Sequence, residues 1–203
     1  MTAPLDVAAS GIVLAGGRSS RYGSDKLAAR VEGATLLDRS VAALAAVAVE
    51  IVVVVAPGDD RVPAPIDRPL RLVADPELHG GPLVGLLAGL EAVDQPIALV
   101  VGGDMPSLRA DVLRLMLRTL VTADEAFGAV ILERRGRGEP LPAVVRTGSG
   151  TDVARRLVAD GERSLRSLLE RLPTRIIDEA AWRPLDPDAA TLHDVDRPSD
   201  LES

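Results

Sequence analysis

The chain of 203 residues contains no cysteine. Disulfides, thiolate metal sites and cysteine nucleophiles are therefore excluded. Aromatic residues are nearly as scarce, with Tyr22, Phe127 and Trp182 the whole complement. The core must be built from Leu, Val, Ile and Ala, and the aromatic platforms that stack single-stranded bases are missing. Positive charge is in the minority, 23 Lys and Arg against 30 Asp and Glu, for a net charge of -7. Such a surface gains little from nucleic-acid phosphates, so nucleic acid is not an expected partner. Long apolar runs are absent too. Ile51–Ala56 and Ile97–Val101 fall well short of a membrane span, and no basic stretch followed by an apolar core opens the chain. The expectation is a cytoplasmic protein with no membrane partner. His79 and His193 form no HxxxH or catalytic pairing and read as ordinary surface residues.

What is present is aliphatic sequence broken at short intervals by glycine and proline. Ser10–Ala15 and Glu50–Ala56 read as buried strands, stopped by Gly16-Gly17 and Pro57-Gly58. Gly33-Ala34 marks a turn. Thr35–Val47 carries Leu37, Val41 and Leu44 at helical spacing, with Thr35 as its cap. Residues 57–69, rich in proline and charge, read as loop. Leu70–Ala74 is a short strand, Gly80-Gly81-Pro82 opens a helix over 83–93, Ile97–Val101 is a strand and Asp111–Thr122 an amphipathic helix. Strands follow at Ala126–Glu133 and Leu141–Arg146, helices at 150–159 and 164–172, and short strands at Arg175–Asp178 and Thr191–Val195. Aliphatic strands alternating with helices imply a sheet covered on both faces. The expected architecture is α/β, a single-domain, three-layer, Rossmann-like fold with a mostly parallel central sheet.

The segment from Leu14, Ala15, Gly16 and Gly17 through Arg18 and Arg21 to Lys26 follows the first strand. Its glycines allow a tight turn and a close approach to an anion, and successive backbone N–H groups can form an anion-binding concavity. Three cations within nine residues, in an otherwise acidic chain, favour phosphate over a plain turn with solvated charges. The dinucleotide pattern G-x-G-x-x-G fails at Arg18, and the Walker pattern fails at Ser24. Gly102-Gly103-Asp104-Met105-Pro106 ends a later strand. A carboxylate there can hold a hard cation such as Mg²⁺, or it can simply close a turn. Asp75-Pro76 and Gly81-Pro82-Leu83 lie between, and a proline in the first helical turn has a purely structural reading as well.

These segments together resemble the molybdenum cofactor guanylyltransferases and their nucleotidyltransferase relatives, whose loop reads L-A-G/A-G-x-x-x-R-M-G-x-x-K. Tyr22 stands where the family usually has Met. The resemblance runs over about residues 10–202 and implies a nucleotidyltransferase fold. It maps the loop cations onto Arg21 and Lys26, the metal-binding Asp onto Asp104, and nucleotide contacts onto Leu14, Ala15, Gly16, Gly17, Asp75, Gly81, Pro82 and Leu83. L-A-G-G with P-L-x-G resembles the guanine-selecting form, which implies GTP rather than CTP. Ala56 stands where some members have a base-contacting Asn.

Glu139-Pro140-Leu141-Pro142 resembles the H-P-L-P segment thought to face the pterin, with Glu139 in place of His. His193–Leu201 resembles N-x-N/D-T-P-E-D-L, so Asp194 or Asp196 is expected beside Asp104 at the metal. Gly161-Glu162-Arg163-Ser164-Leu165 matches a further family stretch whose safest reading is helix capping by Ser164. The implied reaction is GMP transfer from GTP to the phosphate of molybdopterin, with Mg²⁺ as cofactor. Molybdoenzymes or cofactor-insertion proteins are the implied protein partners. The alternatives are a relative that uses CTP, a sugar phosphate or phospholactate, or a nucleotide-binding regulatory protein without turnover. The failed dinucleotide pattern disfavours an NAD-dependent enzyme.

Overall fold

β-Branched and aliphatic runs supply the strands, and glycine and proline end them. The computed structural model describes residues 8–16, 26–78 and 80–195. Along the chain come β1 (Ser10–Leu14), β2 (Arg30–Val31), β3 (Ala34–Thr35), α1 (Leu36–Ala45), β4 (Glu50–Val55), β5 (Leu70–Ala74), α2 (Pro82–Ala92), β6 (Ile97–Gly102), α3 (Ala110–Thr122), β7 (Ala129–Arg134), β8 (Arg137–Arg146), α4 (Thr147–Ala159), α5 (Leu165–Arg171), β9 (Thr174–Ile177) and α6 (Glu179–Trp182). One seven-stranded sheet has the order β5-β4-β1-β6-β8-β7-β9, and β2 and β3 form a small separate hairpin.

β1 pairs in parallel with β4 on one side and β6 on the other. β8 alone runs against the rest, antiparallel to both β6 and β7. The expected mostly parallel α/β sheet is what the chain forms. Alternation of side chains along each strand divides the core. Val13, Val53, Leu99 and Val144 face the layer of α1 and α3, whereas Ile12, Val52, Val100 and Val145 face α2, α4 and α5. Strands buried on both faces have no polar side to display, which is why they read as continuous apolar runs.

Local chemistry fixes the ends. Thr35 caps α1 in a reciprocal box: its Oγ1 accepts the Asp38 N–H at 3.0 Å, and the Asp38 carboxylate accepts the Thr35 N–H at 3.2 Å. The second Asp38 oxygen accepts the Ala64 N–H at 2.7 Å and pins the long 57–69 loop. At the sheet end away from the strand C-termini, Glu50 accepts the Ser10 hydroxyl, the Asp94 amide and Arg71. Burial by itself raises the Glu50 carboxyl, but these donors outweigh it and hold the group below the usual carboxylate range.

Three expectations need correction. Residues 191–195 are not a strand: Ala190–Leu192 is a 3-10 turn, wound by the Asp186 carboxylate, which accepts the Ala190 and Thr191 N–H groups. β7 begins at Ala129, because an Asp124 turn occupies the residues before it. β8 begins at Arg137, well before Leu141. Arg135 and Gly136, both at positive φ, form a two-residue hairpin turn that reverses the chain there.

Candidate functional site

β1 sends its chain onward to β4 and β5 on one side, while β6 lies on the other. At such a switch point the loops beyond adjacent strand ends diverge and leave a crevice. A cavity of about 340 Å³ opens there. Leu14 and Gly16 contribute from the end of β1, Val54 from β4, Asp75 from just past β5, and Gly102 and Asp104 from the end of β6. Gly81, Pro82 and Gly85 of the α2 start form another wall, and Leu141 closes the cavity from β8.

The Asp104 turn is anchored at three consecutive carbonyls. Asp104 O accepts the Val195 N–H at 3.0 Å, Met105 O accepts the Ser40 hydroxyl at 3.1 Å, and Pro106 O accepts Arg39 Nε at 3.2 Å. Ser40 is fully buried. Arg39 also reaches Val31 O and the Glu32 carboxylate, so α1 braces the β2–β3 hairpin and the Asp104 turn together. Lys26 starts a 3-10 turn just ahead of that hairpin and is itself buried. Its Nζ donates to Asp104 Oδ2 at 2.9 Å, an ion pair that ties this turn to the end of β6.

Asp75 is buried as well. Its Oδ1 accepts the Glu77 N–H at 3.0 Å, and Oδ2 faces Gly16 and Gly85, where a Cβ on Gly85 would come within 3.2 Å. Burial pushes the Asp75 carboxyl above its ordinary range. The Glu77 amide opposes that shift and the Glu77 charge adds to it. α2 starts at Gly81, held at φ 90. Only glycine suits the position, since a Cβ would lie 2.8 Å from Arg163 Cβ and 3.0 Å from Arg163 O. The Leu83 N–H donates to that same Arg163 carbonyl at 3.1 Å. The 161–165 stretch therefore has two structural tasks: Ser164 caps α5, accepting the Arg166 N–H, and Arg163 seats the start of α2.

On the far wall the β7–β8 register slips. Ile131 pairs with Ala143, but Leu132 pairs with Glu139, so residues 140–142 bulge out of β8. The bulge carries Leu141 into the cavity and leaves Pro140 over a small hollow with Leu165 and Leu168. Glu139, paired with Leu132, and the buried Pro142 do not line the main cavity.

The structure thus brings together Leu14, Gly16, Asp75, Gly81, Pro82, Asp104 and Leu141, and joins Lys26 to them through Asp104. Ala15 and Leu83 are buried behind the walls; the Ala15 N–H donates to Val54 O at 2.7 Å. Asp194 is exposed, one residue before the Val195 tie to the Asp104 turn. Gly17, Arg18, Arg21, His79 and Asp196 lie outside the described residues. His193 is exposed, as expected. Sequence reasoning missed Val54 and Gly85 in the wall and the Arg39–Ser40 brace. Gly85 sits inside the motif already singled out. Val54 has no signal beyond its place at a strand end, and an arginine and a serine on a surface helix have none.

No helix among the described residues is long and apolar enough to cross a membrane. Residues 11–176 match the family model of the MobA-like NTP transferase domain. The chain is similar to a probable molybdenum cofactor guanylyltransferase of Chloroflexus aggregans, at 35% identity over 202 residues, covering 98% of this chain and 94% of that protein. A probable molybdenum cofactor guanylyltransferase of Mycobacterium tuberculosis is 35% identical over 192 residues, covering 90% of each. Among solved structures, molybdopterin-guanine dinucleotide biosynthesis protein A of Archaeoglobus fulgidus has a TM-score of 0.74 at 22% identity, covering 95% of each chain. A 2-C-methyl-D-erythritol 4-phosphate cytidylyltransferase of Thermus thermophilus has a TM-score of 0.70 at 18% identity, covering 97% of this chain and 96% of that one. The solved structures share the fold, and the model match together with the near full-length relatives places this chain in the MobA-like NTP transferase family.

Proposed function

We propose that the protein transfers GMP from GTP to the phosphate of molybdopterin, with release of pyrophosphate. The observation that carries the reading is the Lys26–Asp104 pair, 2.9 Å apart, at the edge of a cavity set at the sheet's switch point. A cation for phosphates and a carboxylate for a metal stand side by side where the fold class binds its ligands. The guanylyltransferase names of the near full-length relatives supply the substrate pair.

Mg²⁺ belongs to this proposal, and the donor chemistry suits it. Among the described residues no group of three or more Asp, Glu or His converges. Mg²⁺ does not need one, because it takes one or two carboxylates and fills its shell with substrate phosphates and water. Asp104 would hold it, with Asp194 or Asp196 as the second carboxylate; the Val195–Asp104 hydrogen bond supports a placement of that segment nearby. The ion, when bound, supplies charge neutralisation on phosphate oxygens.

The chain's own residues provide positioning and charge. An oxygen of the molybdopterin phosphate attacks the α-phosphorus of GTP, a new P–O bond forms, and the bond to the β-phosphate oxygen breaks. The attacking phosphate is already ionised near neutral pH, so no strong base is required. Lys26, with Arg21 and the amides of Gly16 and Gly17 assigned from sequence, balances charge on the leaving pyrophosphate. Asp75, Gly81 and Pro82 hold the nucleoside side, and Leu141 with its bulge faces the acceptor. In-line placement contributes the remainder.

The direct test is pyrophosphate release with molybdopterin and each nucleoside triphosphate in Mg²⁺. Turnover is expected with GTP. Lys26→Ala should lower kcat by about 10²–10³-fold, the usual effect of removing one group that stabilises transition-state charge. Turnover with CTP alone would move the protein to the cytidylyl-transferring relatives. GTP binding without turnover would make it a regulatory protein.

A further inference from the structure

Lys26 and Asp104 are joined directly, the Lys26 ammonium sitting on the carboxylate oxygen Oδ2. The partners differ in freedom. Asp104 belongs to a turn tied at its carbonyl and at the two that follow, by Val195, Ser40 and Arg39. Lys26 carries its charge on a flexible four-carbon stem. The side chains are only 11% and 31% exposed, so the pair helps to compensate both charges. A divalent cation at Asp104 must displace the ammonium or sit beside it, and like charges that close repel. A triphosphate changes the balance, because its oxygens offer the ammonium a new partner.

We propose that Lys26 is a positioning residue for Asp104, its ammonium standing in for the metal there until a triphosphate draws it away. The inference rests on Asp104 being the metal ligand in the reading above. Free protein then binds divalent cation weakly, metal and triphosphate enter together, and each raises the affinity for the other by the same factor. Lys26 thus serves both states of the site. It holds the carboxylate in place before binding and neutralises phosphate afterwards.

The test uses Mn²⁺ as probe and the full chain without nucleotide, with bound metal read by isothermal titration and by the electron paramagnetic resonance of the free ion. Wild type should bind Mn²⁺ weakly, and GTP should tighten it. Lys26→Gln and Lys26→Met, although poor in turnover, should bind Mn²⁺ alone at least about tenfold more tightly than wild type, the factor that about 1.4 kcal/mol gives. Lys26→Arg, which keeps the charge, should stay weak. Lys26→Gln combined with Asp104→Asn should lose the gain. The proposal is overturned if wild type alone binds Mn²⁺ tightly through Asp104, if the folded neutral variants bind no better than wild type, or if the gain survives Asp104→Asn. Pyrophosphate release is scored separately. A protein that shows the Mn²⁺ inversion but never turns over GTP keeps this inference and loses the guanylyltransferase reading.

Discussion

The two walls of the cavity are built by strands of opposite direction. On the proposed nucleotide side, β1, β5 and β6 run in parallel, and each delivers its C-terminal end: Leu14–Gly16, Asp75, and Gly102–Asp104. On the proposed acceptor side β8 is reversed, so it delivers residues from its early part, the 140–142 bulge with Leu141 at the cavity. The parallel wall carries the charges, and its Asp104 turn is fixed through its main-chain carbonyls by Val195, Ser40 and Arg39. The reversed wall is apolar and owes its shape to a register slip. The charges thus sit on the regular ladder, and the apolar wall sits where the ladder is interrupted.

The sharpest way to break this division is Asp104→Asn. It should lower kcat by about 10²–10³-fold with a modest drop in the thermal midpoint, because Lys26 loses an ion-pair partner while the turn's carbonyl anchors, which do not involve the carboxylate, remain. A collapse of the midpoint by differential scanning calorimetry would show instead that Asp104 is chiefly structural. Gly81→Ala comes next. It forces a Cβ onto Arg163 at an unfavourable φ, and should destabilise by about 2 kcal/mol in urea titrations while raising KM for GTP. Leu141→Ala should raise KM for molybdopterin by roughly tenfold, the scale of a few lost methylenes, and leave KM for GTP unchanged. Equal effects on both substrates would erase the distinction between the walls.

The smallest effect concerns Asp75. Its folded-state carboxyl titrates above the ordinary 3.8. The folded protein therefore holds this proton more tightly than the unfolded chain does. Asp75 lowers stability progressively as pH rises from 3.8 through the folded value. Asp75→Asn should be more stable than wild type at pH 7, with no difference from wild type well below 3.8, yet bind GTP more weakly. Thermal melts across pH, paired with GTP titration, check both halves. A variant less stable at pH 7 would show that burial of the charge is not the dominant cost.

Much of the nucleotide wall was legible because parallel strands announce themselves. Aliphatic runs stopped by Gly16-Gly17 and by Gly102-Gly103-Asp104 mark both a strand end and the chemistry beyond it. Asp75 and Gly81 were legible as motif residues, but their burial and backbone reasons were not. The acceptor wall was harder. The reversal depends on Arg135-Gly136, a weak turn signal, and the slip beside Leu141 on the pairing of Leu132 with Glu139, a choice between strands that no single segment encodes. The 191–195 segment misled because its apolar spacing suits a strand, whereas Asp186, several residues away, takes its N–H groups.

The sequence by itself determined the aliphatic α/β sheet, the exclusion of thiol and stacking chemistry, and the loop and carboxylate that point to a nucleotide. These are local properties, set by side-chain type and short spacing. Tertiary structure alone decided that Lys26 meets Asp104 across 78 positions, that Arg39 and Ser40 brace the turn between them, and that Arg163 seats the start of α2. Such contacts are made by backbone carbonyls and by reach across the sheet's switch point, which residue type does not encode.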